Sequence, residues 1–240
     1  MSGDPPSSPS GSASSPTWRE RLADVVATMR EMSLQTEPQA MVSSYGARMR
    51  RQWASDRTLS ISRRGLTRPQ VRITRDTEWK QVINPWKEPD KLPMIVGGIL
   101  ADRIYSNEPR LLSDFDAAGD PAEEYLKGYR TIVAFPHFDM GEALNMVLTM
   151  WRRPNALDPE RIPEMMQMSS LFGRVTGNLV LKTRLEEAYR ELDRELEVVG
   201  EIQRSLLPRQ LPRVPAMTLA ASYQTSRRAG GGYYDLFGLP

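Results

Sequence analysis

The spacing of apolar residues predicts two helices near the start of the chain. From Thr17, a predicted N-cap, apolar residues recur at helical intervals through "TWRERLADVVATMREMSLQT". A second helix starts at Thr36 and Pro38. Its predicted apolar side consists of Met41, Val42, Tyr45 and Met49. Two helices therefore precede any strand.

The period then changes from helical to alternating, which predicts strands. Segments "TLSISRRG" and "PQVRITRDTEW" form a predicted hairpin with Leu59, Ile61, Val71 and Ile73 on one face. A second predicted hairpin consists of "YRTIVAFPHFD" and "ALNMVLTMW", joined by "MGE". Between the hairpins, "MIVGGILADRIYSNEPRLLSDF" predicts a short helix and a short strand at its end. This succession predicts an α+β domain with a largely antiparallel sheet.

One long helix is predicted after Asp158, a good N-cap that precedes Pro159. No proline interrupts the stretch between Pro163 and Pro208. Its second half is densely charged except for a heptad seam of Leu185, Leu192, Val199 and Leu206. The seam predicts a parallel homodimer, although Glu195 weakens the heptad pattern, and the alternative is a solvent-exposed linker.

Composition narrows the possible functions. The 32 Lys and Arg residues against 30 Asp and Glu residues give a net charge of +2, which favours neither nucleic acid nor an anionic membrane as a partner. The chain has no cysteine, which excludes disulfides, zinc knuckles and thiol nucleophiles. No apolar run approaches the roughly 18 residues of a membrane span, and the N-terminus lacks a signal-peptide apolar region. We therefore expect a cytoplasmic protein.

The end of the long helix and the stretch after it carry a family resemblance. The segment "LDRELEVVGEIQRSLLPRQLPRVPAMTLAASYQTSRRAGGGYYDLFGLP" resembles the opening of SpoIIE-type phosphatases, a branch of the PPM-type metal-dependent serine/threonine phosphatases. In that family a signalling helix ends in "IQ.SLLP..LP" and the catalytic domain begins with "GGD.YD". The match runs from Ile202 to Asp235. Upstream, residues 37–183 resemble a GAF-type sensor through "YRTIVAFPHFDMGEALNMVLTM" and "ALDPERIPEMMQMSSLFGRVTGNLVL".

Two departures from the phosphatase pattern concern catalysis. The family holds two divalent ions through carboxylates, but Gly232 occupies the position of the first metal carboxylate and has no side chain to ligate one. The later acidic motifs would follow Pro240, so we expect a truncated domain with Asp235 as a turn or surface acid. The chain alone is expected to have neither catalysis nor a metal or other cofactor, whereas a complete phosphatase domain would need Mn²⁺ or Mg²⁺.

The predicted fold is α+β: a GAF-like antiparallel sheet flanked by helices, a long coiled-coil-like C-terminal helix and an incomplete start of a phosphatase domain. The Ser-, Pro- and Gly-rich opening predicts a disordered tail. The predicted segments are the tail at 1–16, an N-terminal helix at 17–36, the GAF-like sensor at 37–183, a signalling and dimerisation helix at 184–207, and the truncated phosphatase start at 208–240. A strand is predicted to start at Tyr233, Tyr234, Leu236 and Phe237.

A ligand pocket is predicted between the sensor sheet and the irregular segment "NPWKEPDKLPMIVGGILADRIYSNEP", because ligand sites favour a rigid sheet covered by a variable loop. Its predicted wall is Trp86, Met94, Ile99 and Tyr105, and its predicted floor is Phe135 and Met146. The alternative is a filled core. The ligand itself is not predicted, since domains of one fold accept unrelated molecules.

Two polar groups have competing interpretations. His137, the only histidine, lies near Asp139; a Ser/His/Asp triad would need a serine from elsewhere, and the alternative is a histidine satisfied by a local hydrogen bond. Arg63, Arg64 and Arg68 predict either an anion site at a hairpin tip or a solvated face.

These observations favour the regulatory sensor segment of a bacterial signal-transduction serine/threonine phosphatase. The expected partners are a second copy through residues 184–207, a small molecule in the sensor and, in a complete enzyme only, a phosphoprotein; nucleic acid and membrane are not expected. One alternative is a competent phosphohydrolase, against which the missing ligands argue. The other is a free-standing GAF-like ligand- or partner-binding module with a degenerate phosphatase remnant.

Overall fold

The described part of the chain begins with two helices. The structure is a computed structural model that describes residues 17–225, 228–230 and 232–236. Helix α1 spans Trp18–Ser33 and helix α2 spans Pro38–Trp53. Thr17 is confirmed as the N-cap of α1: its hydroxyl accepts from the Glu20 backbone nitrogen at 3.3 Å, and the Glu20 carboxylate accepts from the Thr17 backbone nitrogen at 2.7 Å. The tail predicted for residues 1–16 lies outside the described residues.

The apolar stripe predicted for α1 is only partly buried. Met32 is buried, but Trp18, Leu22, Val26 and Met29 are exposed. The side of α1 that faces α2 combines Met32, which packs with Met41 and Met49 of α2, with ion pairs, since Arg48 of α2 binds Asp24 at 2.6 Å and Glu31 at 2.8 Å. On α2 the prediction holds better, because Met41, Tyr45 and Met49 are buried.

In the residues that the structure describes, a single antiparallel sheet of six strands follows. The strands are β1 Arg57–Ser62, β2 Gln70–Asp76, β3 Met94–Val96, β4 Arg110–Ser113, β5 Thr131–Asp139 and β6 Glu142–Trp151. Their order across the sheet is β3-β2-β1-β6-β5-β4, and every pair is antiparallel. Both predicted hairpins are confirmed. Met140 and Gly141 join β5 to β6 with positive φ angles of 50° and 86°, as a two-residue hairpin turn requires.

Helices cover both faces of this sheet. Helix α3 spans Gly98–Ser106 and the short helix α4 spans Glu123–Leu126. Together with one sheet face they enclose the main apolar core. The other face meets α2 and α5, a helix of 45 residues that spans Ile162–Leu206. The α+β prediction, with its long C-terminal helix, is confirmed.

The chain divides into two compact units, one ending at Leu179 and the other beginning at Val180, and α5 contributes to both. After α5 the described residues contain an isolated bridge between Val214 and Met217. The strand predicted from Tyr233 is not formed, since residues 232–236 have no regular structure; Phe237 lies outside the described residues. A lone strand segment has no ladder partner to stabilise it. Within the described part of the chain, no helix is both long and apolar enough to cross a membrane.

Candidate functional site

Three of the six predicted pocket residues lie in or against the main apolar core, which one sheet face forms with α3 and α4. Met146 is fully buried in this core, and Ile99 and Tyr105 are partly buried against it. The fully buried residues around them include Leu59, Ile61, Val71, Ile73, Leu100, Ile104 and Leu126. Strands β1 and β2 alternate apolar side chains onto this face, as their sequence pattern predicts.

The other three predicted pocket residues lie elsewhere. Phe135 belongs to a second core cluster, which faces α2 and α5. It cannot share a floor with Met146, because Phe135 pairs with Val147 while Pro136 pairs with Met146, and side chains alternate between the two faces. Met94 lies on the edge strand β3 with 44% of its surface exposed. Trp86 is half-buried in a turn.

Tyr105 joins α3 to the first hairpin. Its hydroxyl donates to the Gln70 carbonyl oxygen at 3.1 Å, and the Arg63 guanidinium lies 4.7 Å above its ring centroid. Arg63 also donates to the Ala143 carbonyl at 2.8 Å and to the Glu142 carboxylate at 3.1 Å. These contacts hold the ring of Tyr105 in place.

The hairpin arginines are largely committed to contacts within the chain. Arg64 binds the Asp139 carboxylate at 2.7 Å, and Arg63 has Glu142 as its ionic partner. The Arg68 guanidinium lies 5.8 Å from the Tyr105 ring centroid. Carboxylates of the second hairpin therefore neutralise two of the three cations, which argues against an anion site.

His137 on β5 lies against α5. Its Nε2 shares a hydrogen bond with Ser169 Oγ at 2.7 Å. At Gly173, one turn further along α5, an added Cβ would lie 2.6 Å from His137 Nδ1. Burial lowers the pKa of His137 to about 4, so the imidazole is neutral near pH 7. The sheet and α5 are thus in direct contact through an imidazole that only glycine accommodates.

A catalytic triad at His137 is not supported by the geometry. Ser169 supplies a hydroxyl at the right distance, but only 3% of this residue is exposed, so a substrate has no access to it. Asp139 pairs with Arg64 instead. One sequence feature indicates this contact: a glycine inside a helical pattern, such as Gly173, often marks a close approach.

Arg57 and Asp76 form a buried ion pair between β1 and β2. The Arg57 Nε donates to Asp76 at 2.9 Å, and a second guanidinium nitrogen bonds the other carboxylate oxygen. Arg57 also donates to the Tyr125 carbonyl at 2.9 Å and pairs with Glu78 at 3.1 Å. Both partners are nearly fully buried, so the pair is a structural tie rather than an open site.

The N-terminus of α3 is occupied by the chain itself. The Asp120 carboxylate accepts from the Ile99 backbone nitrogen at 2.7 Å. Gly98 has a φ of 70°, and an added Cβ would lie 2.7 Å from the same carboxylate. An anion is favoured at a helix N-terminus, and here Asp120 provides it.

A shallow hollow of about 260 Å³ lies in the loop after β2. Its lining consists of Trp79, Lys80, Gln81, Ile83, Lys91 and Pro93. None of these residues belongs to the predicted pocket. The hollow is slightly smaller than typical small-molecule sites, which start at about 300 Å³.

The residues at the predicted phosphatase start are held by local hydrogen bonds. The Gly232 carbonyl accepts from the Tyr223 hydroxyl at 2.9 Å. The Asp235 carboxylate accepts from the Tyr233 hydroxyl at 3.1 Å and from the Leu236 backbone nitrogen at 2.8 Å. Among the described residues, no group of three or more His, Cys, Asp or Glu is placed to hold a metal ion.

The predicted dimer seam is solvent-exposed in the single chain. The exposed fractions are 57% for Leu185, 50% for Leu192, 44% for Val199 and 62% for Leu206. Exposed leucines at heptad spacing are typical of a helix that has a partner. The homodimer stays a prediction.

Comparison with known proteins supports the fold only. No family model matches the chain, and no curated protein matches it either. Among solved structures, it resembles the free methionine-R-sulfoxide reductase of Neisseria meningitidis at 10% identity and a TM-score of 0.51, covering 69% of this chain and 91% of that one.

Two solved GAF domains are also similar. One belongs to a phosphoenolpyruvate-protein phosphotransferase of Coxiella burnetii, with 14% identity, a TM-score of 0.49 and coverage of 70% of this chain and 96% of that one. The other is the nlh2 GAF domain of A. aeolicus, with 13% identity, a TM-score of 0.43 and coverage of 68% and 98%.

The chain thus has a GAF-like α+β fold, with a six-stranded antiparallel sheet, flanking helices and a long C-terminal helix. At these identities the likeness says nothing about ligand or activity. The phosphatase resemblance of residues 202–235 stays a prediction.

Proposed function

We propose that this chain is the regulatory sensor segment of a bacterial signal-transduction serine/threonine protein phosphatase. One observation carries the proposal. Helix α5 begins in the core of the GAF-like unit, where Met165 is buried, and continues without a break to Leu206, directly before the segment that resembles a phosphatase start. A helix with this course can carry a change at the sheet to whatever follows it.

The N-terminal part of α5 contacts the sheet through both packing and a hydrogen bond. Met165 packs with Val133, Phe135 and Trp151, and Ser169 bonds His137. A ligand that shifts β5 or the residues around it would therefore act on α5 through packed contacts rather than through a flexible loop. This supports a sensing role for the GAF-like unit.

Assembly is the second part of the proposal. Residues 184–207 of two chains would pair in parallel through Leu185, Leu192, Val199 and Leu206, and so hold two output domains side by side. The substrate of a complete enzyme would be a phosphoprotein, and its metal Mn²⁺ or Mg²⁺. The chain by itself would not be catalytic, because Gly232 offers no carboxylate where the family pattern has one.

A hydrolysis assay tests the catalytic part. We expect no turnover of p-nitrophenyl phosphate or phosphopeptides by the 240-residue chain with Mn²⁺ present, and no gain from Gly232→Asp, since one carboxylate does not make a two-metal site. Hydrolysis that a chelator abolishes would contradict this and favour the phosphohydrolase alternative.

A thermal-shift screen tests the sensor part. The compounds are cyclic nucleotides, haem, amino acids and small aromatic acids. A ligand at a hundredfold excess over its dissociation constant stabilises the fold by about 2.7 kcal/mol, which raises the melting temperature measurably. We expect a hit that Tyr105→Leu weakens and that Phe135→Leu, on the opposite sheet face, leaves intact.

The same screen distinguishes the proposed sensor from the alternative, a free-standing ligand- or partner-binding module. Hits insensitive to Tyr105→Leu would place binding away from the α3 face. The absence of any hit would contradict small-molecule sensing in these classes and leave a partner-binding module as the better account.

A further inference from the structure

The segment that follows α5 returns to the helix at Arg228–Gly230. The Gln203 side-chain amide donates to the Gly230 carbonyl at 2.6 Å, and its carbonyl accepts from the Gly230 backbone nitrogen at 2.9 Å. One carboxamide thus satisfies both backbone groups of a single residue. These two hydrogen bonds hold the backbone of Gly230 against α5.

Gly200 makes this return possible. It is buried although Val199 and Glu201 beside it are exposed, and an added Cβ would collide with the Arg228 carbonyl oxygen. A glycine inside a helix costs about 1 kcal/mol relative to alanine. The close approach of the Arg228 backbone gives a physical reason for a glycine at this position.

Ion pairs add to the contact. The Arg228 guanidinium binds Asp193 at 2.6 Å and Glu197 at 2.6 Å. The two carboxylates are four residues apart, so they lie on the same side of the helix. All three side chains are about half exposed, where ion pairs are weak and salt-sensitive. They orient the segment, while Gln203 and Gly200 determine how closely it packs.

Gly230 is enclosed from its other side as well. An added Cβ there would lie 2.8 Å from Thr225 Cγ2 and 3.0 Å from the Tyr223 hydroxyl. The Tyr223 hydroxyl itself donates to the Gly232 carbonyl. Glycines 200 and 230 are therefore both required by close packing within this second unit.

We infer that Asp193, Glu197, Gly200 and Gln203 form a docking face on α5 that binds the chain's own Arg228–Gly230 as a latch. The latch requires helical geometry across residues 193–203, because only a helix places these four residues on one side. Bending or unwinding α5 there releases the segment.

The docking face borders the predicted seam, since Gly200 directly follows Val199 and lies about 100° round the helix from it. A change in how α5 packs would therefore reach the latch. This regulatory role rests on the proposed function: Arg228–Gly230 lie within the segment that resembles a phosphatase start, so the latch sets how that segment leaves α5. The contact itself does not depend on that proposal.

Hydrogen exchange of the full chain tests the latch. We expect the amides of Arg228–Gly230 to exchange at least tenfold faster in Gln203→Ala and in Gly200→Ala than in the unmodified chain. Gly200→Ala is the sharper variant, because alanine raises helix propensity while it expels the segment. The control is Glu191→Ala, an exposed position on the opposite side of the helix from Asp193, which should leave the exchange unchanged.

Circular dichroism confirms that α5 remains helical in each variant. Exchange of Arg228–Gly230 at the unprotected rate in the unmodified chain would overturn the inference, as would protection that neither Gly200→Ala nor Gln203→Ala reduces. The readout involves no phosphatase substrate and no sensor ligand, so its failure is distinct from failure of the proposed function.

Discussion

At the scale of single residues, Gly173 determines how closely strand β5 can approach helix α5. It removes one side chain from α5 so that the His137 imidazole can lie against the helix backbone, with Ser169 as its hydrogen-bond partner. Glycine is otherwise unfavourable in a helix interior. Substitution at this position therefore tests whether the sheet and α5 are in tight contact.

Gly173→Ala should destabilise the chain by up to about 2 kcal/mol, because overpacking costs typically about 1–3 kcal/mol and the gain in helix propensity offsets only about 1 kcal/mol of it. Gly177→Ala is the matched control: an added Cβ there meets nothing within 4 Å, so it should stabilise by about 0.5–1 kcal/mol. Urea denaturation measures both. Equal stabilisation by the two variants would mean that His137 does not lie against α5.

The buried histidine also predicts a pH dependence. The unfolded imidazole has a pKa near 6.5, while burial lowers the folded pKa to about 4. Between these values the unfolded state binds more protons, so stability falls as the pH drops from about 6.5 to about 4. The urea midpoint should therefore fall more between pH 7 and pH 5 in the unmodified chain than in His137→Gln. Parallel curves for the two would show that His137 titrates normally.

At the scale of elements, the alternation of apolar and polar residues predicted which segments form strands, but not which residues share a face of the sheet. The pattern in β1 and β2 correctly placed Leu59 and Ile61 with Val71 and Ile73, because one hairpin has one apolar face. Strand β5 is apolar on both faces, so the pattern leaves its register open, and Phe135 was grouped with Met146 although they face opposite ways. The three-residue strand β3 is too short to have a period of its own.

The Arg57–Asp76 pair ties two elements together, and its loss should be costly. Asp76→Asn leaves a buried guanidinium without its main counter-charge, which costs about 3–5 kcal/mol. The matched control is Arg64→Gln in the exposed pair with Asp139, expected to cost at most about 1 kcal/mol. Urea denaturation of both variants gives the comparison. A similar small loss in both would contradict the burial of Arg57.

At the scale of the whole molecule, the sequence predicted the α+β class and the long helix, because both depend on local signals: proline spacing, capping residues and hydrophobic period. It did not predict the docked segment Arg228–Gly230. That contact joins residues far apart in sequence through the backbone atoms of Gly230. Backbone contacts of this kind produce no periodic pattern of residue types in the sequence. Gly200, inside an otherwise regular helix, was its only local signal.

We propose that α5 joins two copies of the chain in parallel and so links sensing to output. The chain has no cysteine, which makes oxidative cross-linking of a single introduced cysteine unambiguous. In a parallel, in-register pair the two copies of residue 185 face each other, whereas in an antiparallel pair they lie at opposite ends.

The decisive measurement is cross-linking of Leu185→Cys, with Arg190→Cys on the opposite side of the helix as its control. We expect a disulfide-linked dimer for Leu185→Cys at low micromolar concentration, far less for Arg190→Cys, and loss of the product when Leu192→Asp is added. Equal cross-linking at both positions, or a chain that remains monomeric by light scattering at high micromolar concentration, would contradict it.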